Sequence, residues 1–266
     1  MATIPVADIE LDVERSGSGS PLLAIMGMSG TALHWGEPFL EGLREDFEVI
    51  AYDHRGVGAS TRLEGAVTIP QMAADAAGLL AALGIERADV LGISMGGMIA
   101  QELALAHPEL IRTLILGCTY AGGADAVAPA PEVAQRMGEA IMSGDRRRAI
   151  RTGFEVNVSA AAAADEDLYA RFLAVAERRA VAPQVVMAQL QACMAHDTRS
   201  RLSGIGTPTL VIHGTEDQLL PVENGRILAT AIPGAQLEIL EGIGHAFFWE
   251  QPQHAAQLVR EHAART

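Results

Sequence analysis

The chain is poor in cysteine, with Cys118 and Cys193 the only two in 266 residues. Two isolated thiols make neither a disulfide framework nor a zinc cluster, and free thiols suit a reducing compartment. Both are expected to pack as small buried hydrophobes. Positive charge is also scarce: 19 Lys and Arg stand against 33 Asp and Glu, for a formal net charge of −14. A surface of that sign repels phosphate backbones and anionic headgroups, which argues against nucleic acid and membranes as partners. No uninterrupted apolar run reaches membrane-spanning length. The N-terminal segment carries Asp8, Glu10, Asp12 and Glu14 where a secretory leader would be basic and then apolar, so a cytoplasmic location is expected. Gly17-Ser18-Gly19-Ser20 is glycine-rich, but no phosphate-loop lysine follows it. No metal or cofactor is expected, and a homo-oligomer is left open.

The 49% hydrophobic content is enough to bury a large core. Residues 8–14 alternate, with Ile9, Leu11 and Val13 on one face and four carboxylates on the other. Period two means a half-buried strand, expected to be the partner in an exposed edge hairpin. Later runs at 22–26, 49–52, 88–93, 114–116, 209–212 and 237–240 are continuously apolar, as strands covered on both faces are. Helical periodicity lies between them, at 33–44, 69–83, 95–107, 222–231 and 251–264. This alternation predicts an α/β fold with a doubly wound, mostly parallel sheet, in which ligands gather at the carboxyl ends of the strands.

The alternation stops after Tyr120. From there to about His196 the pattern is helical only, with Val133, Met137 and Ile141, then Leu168, Phe172 and Val175, then Val186, Leu190 and Met194. Gly144-Asp145 reads as a stop followed by a restart. The expected layout is a core from residues 1–120 and 199–266, with a helical cap at 121–198.

Ser94 sits where the apolar run 88–93 meets a helical pattern, inside Gly92-Ile93-Ser94-Met95-Gly96. A strand that becomes a helix within two residues strains the residue at the joint by about 1–3 kcal/mol. An N-cap serine, worth about 1 kcal/mol, would not need flanking glycines. A nucleophile presented at a helix N-terminus would. A serine hydroxyl needs a base, and the base needs an orienting acid. Of eight histidines, His245 is favoured, because its loop follows the last apolar strand. His34 and His54 could line a pocket, and His107, His254 and His262 suit the surface. Asp217, beyond the next-to-last strand, is the expected acid, with Glu216 as the alternative. Two oxyanion donors are needed; the amides of Met95 and Met28 are the candidates. Gly27, Met98, Met137, Met142, Met187 and Phe247 are candidate pocket residues, the methionines as an adaptable apolar lining.

Four segments together resemble the α/β-hydrolase family: Gly92 to Gly97, Asp53 to Ser60, His213 to Asp217, and Gly244-His245 followed by Glu250 and Pro252. The resemblance implies an eight-stranded sheet with the helical cap inserted after the sixth strand. Within the family the chain is similar to small capped esterases and enol-lactonases, which implies cofactor-free hydrolysis of a small ester or lactone. It departs in having Met26-Gly27 where relatives often have His-Gly, a histidine that helps fix the oxyanion loop. Segment 53–60 is expected to be structural, with Arg55 bonding loop carbonyls, and Trp35 and Trp249 to be packing anchors. Carbon–carbon bond hydrolysis, peroxide-dependent acid chemistry, and a small-ligand receptor with vestigial turnover remain alternatives. Haloalkane displacement would need a carboxylate at position 94.

Overall fold

The computed structural model describes residues 2–265. Its strands are β1 (Ala2–Val6), β2 (Ile9–Gly17), β3 (Ser20–Ile25), β4 (Phe47–Tyr52), β5 (Ala88–Ile93), β6 (Ile111–Gly117), β7 (Thr209–Gly214) and β8 (Gln236–Leu240). They form one eight-stranded sheet in the order β1-β2-β4-β3-β5-β6-β7-β8. β2 runs antiparallel to β1 and β4, and every pairing from β4-β3 through β7-β8 is parallel. All six residues of β5 and of β7 are buried, which explains why these strands read as unbroken apolar runs.

The helices are α1 (Glu37–Leu43), α2 (Ile69–Ala82), α3 (Met95–Ala106), α4 (Pro131–Met142), α5 (Arg146–Asn157), α6 (Ala160–Ala163), α7 (Glu166–Arg178), α8 (Pro183–Met194), α9 (Glu223–Ala231), α10 (Phe247–Glu250) and α11 (Pro252–Ala264). Side chains of α2, α3 and α9 pack into the core on one face of the sheet. Those of α1 and α11 pack into the core on the other, where Trp35 lies 5.1 Å from the Phe248 ring and 5.7 Å from Phe39. Helices α4 to α8 fall between β6 and β7 as a helical insertion. Gly144, at φ +69, ends the turn after α4, and the Asp145 carboxylate accepts from Arg148 N to start α5.

Several expectations need correction. Residues 8–14 do lie in the hairpin at the sheet's edge, but β1 takes the outermost place and β2 is paired on both sides. The polar face of β2 is not wholly exposed: Asp12 is buried, since its carboxylate meets Arg179 of the insertion at 2.7 Å. The 33–44 pattern is two pieces, a 3-10 turn at Ala32–Trp35 and α1, divided at Gly36 with φ +73. On α8 the buried stripe is Val185, Gln189, Ala192 and Cys193. Arg55 does not seek carbonyls; it forks onto Asp75 of α2 at 2.6 and 2.5 Å. All 19 basic residues are arginines, and the planar guanidinium suits such bidentate pairing. His262, expected at the surface, is buried, with Nε2 3.2 Å from the Pro208 carbonyl.

Burial lowers the pKa of His34 from its ordinary 6.5 to about 4, partly offset by its bond to Thr31. Burial likewise lowers His196 from 6.5 to about 4. Between those values the unfolded chain binds more protons than the folded one, so stability is full above the ordinary value and is lost as pH falls toward 4. At the acid limit each ring contributes a loss of about 3 kcal/mol. Thermal melts at pH 7, 5.5 and 4 should show a falling midpoint, with a shallower fall for His196→Gln. A midpoint flat across this range contradicts the assignment of buried neutral rings.

Candidate active site

Ser94 takes φ 55 and ψ −122 between β5 and α3, and its side chain makes no capping bond to the helix. The N-cap reading therefore gives no account of the strain. The neighbouring backbone is clamped: Ser94 N donates to Gly117 O at 2.9 Å, and Thr119 Oγ1 donates to Ser94 O at 2.7 Å. Gly92 and Gly96 are needed for contact, since a Cβ on the first would overlap the Gly96 carbonyl and one on the second the Ile25 carbonyl. Ser94 itself is half-buried. Gly27 lies beside it; a Cβ there would sit 3.1 Å from Ser94 Cβ and 3.7 Å from Oγ.

At the carboxyl end of β7, Asp217 is buried and its Oδ1 accepts from the amides of Leu219 and Leu220, both at 2.9 Å. Its Oδ2 lies 2.7 Å from His245 Nδ1 and 3.3 Å from His213 Nε2. Burial alone would push this carboxyl up, but the His245 charge and the bonds from both rings outweigh it and hold the acid well below the usual carboxylate range. The histidine loop is tied by Gly244 N donating to Glu250 Oε1 at 2.8 Å and by Ala246 N donating to Asn157 O at 2.6 Å. Glu216, the alternative acid, is exposed and instead accepts from Ala160 N at 2.9 Å.

Asp217 and His245 are thus joined directly. Among the described residues no hydrogen bond links Ser94 Oγ to the ring, a gap common in unliganded hydrolases. The serine is nonetheless in the same neighbourhood: its N–H holds Gly117, and the next residue, Cys118, has its sulfur within 4.8 Å of ligand atoms of both Asp217 and His245. Those three groups are the kind that hold a metal. Burial, foremost, pushes the Cys118 thiol up, reinforced by the Asp217 charge. The amides of Met28 and Met95 meet no acceptor among the described residues, leaving both free to donate.

The expected pocket residues separate. Met98 is buried in the core, and Phe247 is fully buried with its ring against Gly117, where a Cβ would sit 2.8 Å from the ring. Met142 is 85% exposed and Met187 53%, so neither walls an enclosed pocket, while Met137 is half-buried on α4. Helical spacing shows which residues share a face but not which face turns inward. Sequence reasoning missed the polar supports. His54 Nε2 donates to Met26 O at 2.8 Å, Asp53 Oδ1 accepts from Ala32 N at 2.7 Å, and Gln189 Oε1 accepts from Ser29 N at 2.9 Å. Nothing in the α8 pattern marks Gln189 as the buried one of its three glutamines, Gln184, Gln189 and Gln191.

The family model for the alpha/beta hydrolase fold matches residues 20–252. The chain is an α/β-hydrolase. This α/β-hydrolase is 31% identical over 249 residues to a protein of Azorhizobium caulinodans provisionally named a carbamate hydrolase, covering 90% of the chain and 89% of the relative. It is 33% identical over 279 residues to the 2-hydroxymuconate semialdehyde hydrolase of Pseudomonas sp. CF600, with coverage of 96% and 89%. The enol-lactonase of Burkholderia xenovorans LB400 superposes with a TM-score of 0.85 at 27% identity, covering 99% of this chain and 100% of that one. No helix among the described residues is long and apolar enough to cross a membrane.

The tight joint of this α/β-hydrolase yields a paired prediction. Gly96→Ala should destabilise the fold and lose hydrolase activity, because its Cβ meets the Ile25 carbonyl. Gly138→Ala on α4 meets nothing within 4 Å and should gain about 0.5–1 kcal/mol from helix propensity alone. Urea melts of both variants check the contrast, which fails if their shifts share a sign.

Proposed function

We propose that this hydrolase cleaves a small, neutral carboxylic ester or lactone through an acyl-enzyme on Ser94. The observation that carries the reading is the buried 2.7 Å pair of Asp217 Oδ2 and His245 Nδ1, taken with a serine held in a strained turn. Asp217 accepts a hydrogen bond from Nδ1–H, which keeps the proton on that nitrogen and leaves Nε2 free as a base. Nε2 takes the Ser94 proton as Oγ bonds to the acyl carbon, and the negative oxygen settles against the Met28 and Met95 amides. Collapse breaks the bond to the leaving oxygen, which receives the proton from His245. Water then repeats the sequence: His245 deprotonates it, the acyl–Oγ bond breaks, and Ser94 recovers its proton. The chemistry draws on no cofactor. The likeness to an enol-lactonase at 27% identity supports this substrate class.

Carbon–carbon hydrolysis by the same residues is the second reading, favoured by the 33% identity to a 2-hydroxymuconate semialdehyde hydrolase. A carbamate is a third acyl carrier to include, given the relative named for it. All three reactions require the same serine, base and acid.

A fluorophosphonate probe should label the wild type at Ser94 and leave Ser94→Ala unlabelled. Turnover of a panel comprising a p-nitrophenyl ester, an enol-lactone, a carbamate and a vinylogous diketone should fall at least about 10⁴-fold in Ser94→Ala and about 10⁴-fold in Asp217→Asn. Ester or lactone turnover undiminished in Ser94→Ala would defeat the nucleophile assignment. Diketone cleavage far exceeding ester cleavage would transfer the function to the second reading.

A further inference from the structure

The loop after β3 has to present the Met28 amide without the histidine that many relatives place before the glycine. Its backbone is pinned by side chains at four points. Met26 O accepts from His54 at 2.8 Å, and the amides of Ser29, Thr31 and Ala32 donate to Gln189 at 2.9 Å, His34 at 3.0 Å and Asp53 at 2.7 Å. Between the pins Gly30 N returns to Gly27 O at 3.3 Å, and Ser29 sits at φ 59. A left-handed third residue in a four-residue turn whose second residue is not left-handed is the type II pattern, which favours glycine at that place. Ser29 is therefore held where a side-chain-bearing residue does not rest by itself.

Three of the four pins come from the core. The fourth, Gln189, belongs to α8 of the insertion; it is 1% exposed, and its Nε2 is buried without a partner among the described residues. Burying an amide with an unmatched N–H costs stability, and an apolar residue of similar length would pack that stripe more cheaply. What the glutamine supplies is one acceptor, spent on the strained turn.

We propose that Gln189 is a positioning residue that holds the Met28–Ser29 turn so that the Met28 amide faces the developing oxyanion. The oxyanion hole is then complete only while α8 is docked on the core. This rests on the acyl-enzyme reading of Ser94. A loss at Gln189 should act on the chemical step, because the turn matters when negative charge develops and contributes little to ground-state binding.

Gln189→Met keeps the length and removes the acceptor; Gln189→Asn keeps the amide and withdraws it from Ser29. Both should lower kcat for a p-nitrophenyl ester by about 10- to 100-fold with KM within about twofold, and weaken a trifluoromethyl ketone inhibitor by the same factor as kcat. Ser29→Gly accepts the positive φ freely, so combined with Gln189→Met it should recover part of the lost kcat. Wild-type labelling of Ser94 by the fluorophosphonate is run alongside. An unlabelled wild type overturns the acyl-enzyme reading and this proposal with it. Labelled wild type with folded Gln189 variants that keep full kcat and ketone affinity, or that change only KM, overturns the role of Gln189 alone. Should one variant fail to fold by circular dichroism, the other decides.

Discussion

Everything at the candidate site depends on one backbone joint, the passage from β5 into α3 at Ser94. Its φ of 55 and ψ of −122 are unfavourable for a serine, by about 1–3 kcal/mol. Such a conformation persists only when its surroundings over-determine it. Here the strand before is buried at every position, the helix after contributes Met98, Ile99 and Leu103 to the core, and Gly117 and Thr119 clamp the peptide between them. Gly92 and Gly96 admit the close backbone passage. The core on both faces of the sheet thus stabilises a local geometry that no single contact could hold.

The second constraint is electrostatic. A carboxylate as buried as Asp217 would ordinarily take up a proton. It stays ionised because two backbone amides and two imidazoles surround it. Removing one partner would strand part of a buried charge, so the acid is held in one orientation, and it in turn fixes one orientation of His245. The His245 ring is therefore oriented by Asp217 without any bond from Ser94 Oγ among the described residues.

Much of this was legible in the sequence, and the reasons differ by element. The parallel strands declare themselves because burial on both faces demands continuous apolar residues, as at 88–93 and 209–212. Ser94, Asp217 and His245 could be singled out because each follows an apolar strand at the edge where the sheet places its ligands, with glycines marking the close approaches. The edge strand β1 was missed because Ala2–Val6 is short and mostly exposed. The inward face of α8 was missed because Gln189 breaks the apolar pattern that would have shown it. Gln189 to Ser29, Arg179 to Asp53 and His54 to Met26 span 160, 126 and 28 residues. Local periodicity carries no trace of such partners, and each is a polar group whose unbonded form would look at home on the surface.

The insertion meets the core through a series of directional polar bonds, and three of them end beside the loops that hold Ser29, His245 and Asp217. Arg179 holds Asp53, whose other oxygen takes the Ala32 amide at the end of the loop after β3. Ser159 is bonded to Glu250, which also takes the amide of Gly244 beside His245. Ala160 is bonded to Glu216, the neighbour of Asp217. Apolar contacts tolerate a slide of an ångström or so; a hydrogen bond loses most of its strength over the same shift. A displacement of the insertion is therefore transmitted to all three loops of the candidate site, whereas one packed on the core by apolar surface alone could shift over it without disturbing it. Substitutions in the insertion should for that reason be read through kcat as well as KM, even where they touch no substrate atom.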